Sequence, residues 1–214
     1  MIKIENVDVF GWEAAIRGMR NPMNSWNKGD TNWQKYYSSK DINRCIGDND
    51  LKLMKSLSKA GNDHAKFLRM INVTLDITAP LYWWKEADTY RVGKEQNSCS
   101  TMHKIHAKEF ALDDFSHEHL QISAMEVFVE VIYWLNEYRD RYLTSKDKDD
   151  WWQMIQLLPS SYNQKRTVQL NYAVLKNMYF SRRNHKLDEW KTFCDWCEKL
   201  PYFKEICVEV YNAE

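Results

Sequence analysis

Glycine and proline are scarce in this chain, at six and four of 214 residues. So little glycine excludes the backbone phosphate cradles built by G-x-x-x-x-G-K-[ST] and G-x-G-x-x-G loops, and neither pattern occurs. A G-x-S-x-G nucleophile elbow is missing as well. Charge of one sign is also lacking: Lys and Arg number 30, as do Asp and Glu, for a formal net charge of zero. No global basic field would draw nucleic acid, and no acidic tail is present. The most apolar long stretch, ISAMEVFVEVIYWL (122–135), carries Glu126 and Glu130, and the N-terminal residues do not pair a basic start with an apolar run. Neither a membrane span nor a signal peptide is expected, which makes the cytoplasm the expected compartment. Five cysteines, Cys45, Cys99, Cys194, Cys197 and Cys207, are an odd number for a disulfide framework and widely scattered, and read as free thiols. Cys194 and Cys197 have C-x-x-C spacing, but they fall inside a helical pattern rather than at a strand-to-helix turn. They read as packing residues.

What is present is a mixed pattern within one expected domain, 1–214. MIKIENVDVF alternates as a strand does, and GWEAAIRGM follows as a helix. The polar, aromatic-studded stretch 24–41 reads as a long loop of the functional or mobile kind. DNDLKLMKSLSKAG predicts a short helix with Asp50 as its N-cap and Gly61 as its stop. NVTLDIT alternates and is β-branched, hence a strand, and Pro80 opens a helix in LYWWKEADTY. Residues 86–104, EADTYRVGKEQNSCSTMHK, are almost wholly polar behind that apolar segment. Further on, SHEHLQISAMEVFVEVIYWLNEYRDRYL places Met125, Phe128, Val129, Ile132 and Leu135 at helical spacing and predicts a long amphipathic helix. KDKDDWWQMIQLLP, RTVQLNYAVLKNMYFSRR and LDEWKTFCDWCEKL read as three more helices. Strands early and helices late argue for an α+β fold, with a small mixed or antiparallel sheet and a mainly helical C-terminal half.

Metal chemistry finds little support. His103 with His106, and His117 with His119, could pair on a helix and a strand, but neither pair has a third ligand at a recognisable spacing, so no metal site is expected. No nucleophile–base pair stands out, and no catalytic residue is assigned. Any phosphate must be held by side chains, and the candidates cluster in NQKRT (163–167) and SRRNHK (181–186). On a helix, Asn171 and Arg182 lie about three turns apart on one face, roughly 16 Å along the axis.

LLPSSYNQKRTVQLNYAVLKNMYFSRR resembles the C-terminal signature of the flavin-dependent thymidylate synthases, in which Leu-Pro is followed by a basic residue, two spaced asparagines and an arginine. Pro159, Lys165, Asn171, Asn177 and Arg182 match it without a gap. Upstream, GNDHAKFLRMINVTLDITAPLYWWKEADTYR is similar to the segment from the family's flavin-contacting histidine, here His64, through a strand to its Arg-His-Arg motif. The resemblance runs from about Asp50 to Trp196. It implies a thymidylate synthase complementing protein-like fold, a homotetramer with sites between subunits, FAD as cofactor, and reductive methylation of dUMP to dTMP with methylenetetrahydrofolate and NADPH. It also implies roles: His64, Arg91, Asn97, Asn171 and Asn177 toward the cofactor, and Glu86, Ser100, Lys165 and Arg182 toward the nucleotide, with Arg183 replacing Arg182 if the register slips by one.

The sequence departs from the family within 86–104. The Arg-His-Arg positions hold Thr89, Tyr90 and Arg91. With one inserted residue, Asn97 and Ser100 match, whereas Ser98 replaces a glutamate and Met102 an arginine. His103 and Lys104 follow directly and are candidate replacements for the lost charge. Three readings of function result: a divergent synthase-like enzyme; a non-catalytic relative that binds a flavin or nucleotide, or serves in assembly or regulation; and an unrelated helical interaction module.

Overall fold

The structure, a computed structural model, describes residues 2–212. Its elements in chain order begin with β1 (Lys3–Phe10), α1 (Trp12–Arg20), α2 (Trp33–Ser39), α3 (Asp48–Lys59), β2 (Asn72–Pro80), α4 (Leu81–Ala87) and β3 (Lys94–Ser98). They continue with α5 (Ile122–Ser145), α6 (Lys148–Leu157), β4 (Asn163–Asn171), α7 (Tyr172–Arg182), α8 (Asp188–Cys197) and a π-helical turn (Lys204–Val208) that runs into α9 (Glu209–Asn212). The four strands form a small antiparallel sheet in the order β1-β2-β4-β3, so the class is α+β.

Local chemistry explains most of these boundaries. In β2, Val73, Leu75, Ile77 and Ala79 are buried and their neighbours half-buried, the period of two that a β-branched strand requires. Pro80 then supplies an extended backbone with no N–H to spare, and α4 starts at the next residue. Gly11 joins β1 to α1 at φ 92°, where an L side chain is strained and a Cβ would collide with the Met70 carbonyl.

Four expectations are corrected. The segment 166–183 is not one helix: Asn163–Asn171 is strand β4, with Gln164, Val168 and Leu170 buried along one side, and the helix begins only at Tyr172. Residues 94–98, in the polar run 86–104 where no strand is expected, form strand β3 at the sheet edge. The stretch 24–41 is not an irregular loop, because it holds α2 and short 3-10 turns, and backbone groups near its centre are bonded to Asp50. Asp50 is not a helix cap: α3 starts two residues earlier behind Gly47, and Asp50 is fully buried.

The described residues divide into two compact units. The first comprises residues 2–5, 76–89 and 96–167. Its core is formed by Ile105, Phe110, Phe115, Ile132, Leu135 and Met154, where α5 packs on α6. Only Ile132 and Leu135 of the predicted apolar stripe on α5 are buried; Met125 and Phe128 are half-buried and Val129 is exposed. The second comprises Asn6–Leu75, Tyr90–Glu95 and residues 168–212. There, Trp12 meets Tyr172 edge-on at 5.6 Å and Tyr172 meets Phe203 at 5.4 Å. Cys194 and Cys197 line the inner face of α8 in this unit, where burial pushes the Cys194 thiol up to about 12 and Cys197 further above its ordinary value. Both behave as apolar packing groups and not as nucleophiles.

Candidate functional site

In the first unit the functional candidates gather around β4, whose adjacent residues point to opposite faces. On one face, Lys165 Nζ lies 3.0 Å from Asp76 Oδ2 of β2, and the Thr167 hydroxyl donates to Asp76 Oδ1 at 2.6 Å. The hydrogen bond and charge of Asp76 raise the Lys165 ammonium above its ordinary pKa. On the other face, Arg166 is held by three side chains, Gln164, Asp88 and Trp84. Its Nε donates to Gln164 Oε1 at 2.9 Å, and one terminal nitrogen reaches both Asp88 oxygens, at 2.9 and 3.1 Å. The guanidinium lies 4.2 Å from the centre of the Trp84 ring. Asp88 also accepts from Gln96 Nε2 at 2.8 Å, and Gln164, itself buried, donates to the Cys99 carbonyl at 2.7 Å. This network joins the end of α4, β3 and β4.

The remaining first-unit candidates are placed as follows. Glu86 is half-buried in the last turn of α4, and its carbonyl accepts from the Thr89 hydroxyl. Asn97 is exposed on β3. Ser100 Oγ caps the following turn, accepting from the backbone N–H groups of Met102 and His103 at 3.2 and 3.0 Å. His103 and Lys104 are exposed.

In the second unit, helix α7 carries the amide candidates. Asn171 is its N-cap: Oδ1 accepts from Val174 N at 3.1 Å, which leaves the Nδ2 donors outside the cap bond. Gly93, at φ 75°, approaches so closely that a Cβ there would lie 3.2 Å from Asn171 Nδ2 and 3.1 Å from Val174. Asn177 is exposed along the same helix. Arg182, the last residue of α7, donates from Nε to the Tyr90 hydroxyl at 2.9 Å, and its guanidinium lies over the rings of Trp190, at 4.9 Å, and Tyr90, at 5.6 Å. Arg183 is exposed and lies over Phe180 at 5.0 Å. His64 is exposed just before the 3-10 turn Ala65–Arg69, which packs on α1 and α7. Arg91 is exposed beyond Tyr90.

The structure shows partners of the cations that the sequence did not reveal. Asp76, Trp84, Asp88, Tyr90 and Trp190 hold the three cations in place. Tyr90 had a signal, because it occupies the central position of the degenerate Arg-His-Arg motif. Asp76 and Asp88 had none, since a carboxylate's partner is set by the fold and not by spacing.

The donor set tests the implied flavin. The amides of Asn171 and Asn177, with the imidazole of His64, are groups of the kind that hydrogen-bond a flavin ring edge. In the first unit Lys165 and Arg166 are paired with Asp76 and Asp88; in the second, Arg182 is bonded to Tyr90.

No family model and no curated protein matches the chain. Solved structures do. Thymidylate synthase X (ThyX) from Helicobacter pylori, crystallised with FAD and dUMP, is 16% identical with a TM-score of 0.64, over 98% of this chain and 99% of that one. A second structure of that flavin-dependent enzyme, complexed with FAD and dUMP, is 17% identical with a TM-score of 0.63, over 97% and 98%. The UMP/dUMP methylase PolB from Streptomyces cacaoi, bound with 5-Br dUMP, is 15% identical with a TM-score of 0.66, over 100% of this chain and 95% of that one. Across nearly its whole length, the chain has a ThyX-like fold.

Proposed function

We propose that the protein is a divergent relative of the flavin-dependent thymidylate synthases that binds a pyrimidine ligand beside α7. The observation that carries this reading is the display of Asn171, Asn177 and Arg182 along one helix of a ThyX-like fold, with Arg182 held rigid on two aromatic rings. An amide and a guanidinium present the donors and acceptors that read the edge of a pyrimidine ring. If the full reaction is retained, dUMP would be reductively methylated to dTMP with methylenetetrahydrofolate and NADPH, FAD supplying the hydride chemistry and His64, Asn171 and Asn177 holding it. A second reading, a non-catalytic binder, is favoured by one specific observation: the stretch that lacks the family's cationic motif supplies Asp88 and Tyr90, which engage Arg166 and Arg182.

The two readings separate experimentally. A synthase-like enzyme is yellow as purified or takes up FAD on incubation, and it oxidises NADPH when given dUMP and methylenetetrahydrofolate. A colourless protein that takes up no flavin removes the enzyme reading. For either reading, Arg182→Ala weakens pyrimidine binding by about 1.5–3 kcal/mol; an unchanged dissociation constant in titration calorimetry refutes the assigned role.

The homotetramer expected of the family has a candidate surface. Ile122, Val129 and Tyr133 fall on one stripe of α5 and are 83%, 52% and 55% exposed. Tyr133→Glu is expected to shift the protein to a smaller species in size exclusion with light scattering. A wild type that elutes as a monomer refutes the tetramer. Among the described residues, no helix is long and apolar enough to cross a membrane.

A further inference from the structure

We infer that the second compact unit holds a further ligand site: the cleft lined by β1, the end of α2 and the turn after α8 binds a free α-amino acid with an apolar side chain. The cleft shares no residue with Asn171, Asn177 or Arg182, so the inference stands independently of the pyrimidine-binding reading.

The cavity measures about 460 Å³, within the range of roughly 300–1,000 Å³ that small ligands occupy. Its apolar lining includes buried Ile42 and Leu200, and half-buried Tyr36 and Trp196 add two aromatic rings. Such a surface suits an apolar side chain. Charge of both signs meets it there. Asp8 of β1 and Lys199 beyond α8 line the cleft, and among the described residues neither side chain makes an ion pair or a hydrogen bond. Lys40 lines it too; its ammonium lies over the Tyr37 ring at 5.6 Å and has no carboxylate within ion-pair reach among the described residues. Asp41, by contrast, is occupied, accepting from Asn43 N at 3.0 Å and lying 3.5 Å from Arg44 Nε. Two cations and one anion are thus left for a ligand. A phosphate dianion would be opposed by Asp8, and a simple cation by the two lysines. A zwitterion answers both signs, its carboxylate pairing with Lys40 and Lys199 and its ammonium with Asp8.

The backbone around the cleft is held in costly conformations. Lys40 has φ 57°, Asn6 at φ 52° directly precedes Val7, and Tyr202 at φ 53° directly follows Pro201. Residues with a side chain stay in this region only where the surrounding structure holds them there. The Tyr202 hydroxyl donates to the Asn43 carbonyl at 2.9 Å and so joins two of the lining segments. A preformed cleft loses less ordering entropy on binding.

The test is amide and indole NMR of the isotope-labelled full chain, titrated with L-phenylalanine, with L-phenylalaninamide, which lacks the carboxylate, and with N-acetyl-L-phenylalanine, which lacks the ammonium. L-Phenylalanine is expected to shift the Trp196 indole signal and the Asp8 and Lys40 amides saturably, and loss of either ligand charge to weaken binding about threefold to tenfold. Asp8→Asn and Lys199→Gln lie at exposed positions, where substitution rarely disturbs folding. Asp8→Asn should weaken L-phenylalanine by a similar factor and spare the N-acetyl compound; Lys199→Gln should weaken both of these and spare the amide. The absence of a saturable shift at the cleft signals up to about 20 mM L-phenylalanine overturns the inference. So does an N-acetyl compound that binds as tightly as the free amino acid, or a pair of variants that leave its affinity unchanged.

Discussion

Asp50→Ala is expected to lower the unfolding free energy by about 3–5 kcal/mol, the cost of stranding a buried partner charge. Asp50 is fully buried and Arg20 only 5% exposed. One carboxylate oxygen accepts from Arg20 Nε and from a terminal nitrogen, both at 2.7 Å. The other accepts from the backbone of Asp30 and Thr31 at 3.1 and 3.0 Å and from the Thr31 hydroxyl at 2.6 Å. Asp30 returns the contact, its carboxylate accepting from the backbone N–H groups of Asn49 and Asp50 in the first turn of α3. Removing Asp50 therefore unpins the 24–41 segment and leaves Arg20 without its counter-charge. Asp50→Asn keeps the shape but not the charge, and should also destabilise strongly. Denaturant unfolding measures both; a loss under about 1 kcal/mol would mean that the pair only breaks even against its desolvation.

The same carboxylate carries a pH signature. Burial alone would raise its pKa, but hydrogen bonds from Thr31 and Arg20 outweigh burial and hold it below the ordinary carboxylate value. A group whose native pKa lies below its unfolded value of about 3.9 contributes stability above that pH and loses it as pH falls through the native value. The gap between wild type and Asp50→Ala should thus be full at pH 7 and shrink below about pH 4. A gap that stays constant down to pH 2.5 would contradict the paired, ionised state.

Much of the fold is legible in the residues because burial there follows a simple period. β2 leaves a clear period-two mark, and Pro80 marks a boundary. β4 misled for a physical reason: QKRTVQLN alternates, but it runs without a break into NYAVLKNMYF, and only Asn171 as N-cap separates the two. β3 is polar on both faces, KEQNS, because it is an edge strand with little to bury, so periodicity carries no signal there. Asp50 has the residue type and place of a helix cap, and its partner thirty residues upstream leaves no local mark. The site divides along the same line. Amides and cations on β4 and α7 are visible in sequence, whereas the carboxylates that hold Lys165 and Arg166 and the rings that hold Arg182 come from elsewhere in the chain.

Trp190 is where stability and the site meet, and Trp190→Ala is expected to cost about 3–5 kcal/mol. The side chain is fully buried, edge-on to Phe193 at 5.6 Å and to Tyr90 and His185 at 6.3 Å each. Trp190→Phe restores an aromatic ring and most of the buried area, so it should recover more than half of the loss in thermal unfolding. Stability alone does not separate a core tryptophan from one that positions Arg182. The discriminating quantity is pyrimidine affinity in a double-mutant cycle, because Trp190 touches Arg182 through a stacked cation, and that contact is worth about 0.5–2 kcal/mol. If the ring aims the guanidinium, Trp190→Ala weakens binding on its own but adds little on top of Arg182→Ala. If it only fills the core, Trp190→Ala leaves affinity unchanged in the folded fraction, and Arg182 draws its orientation from the Tyr90 hydroxyl.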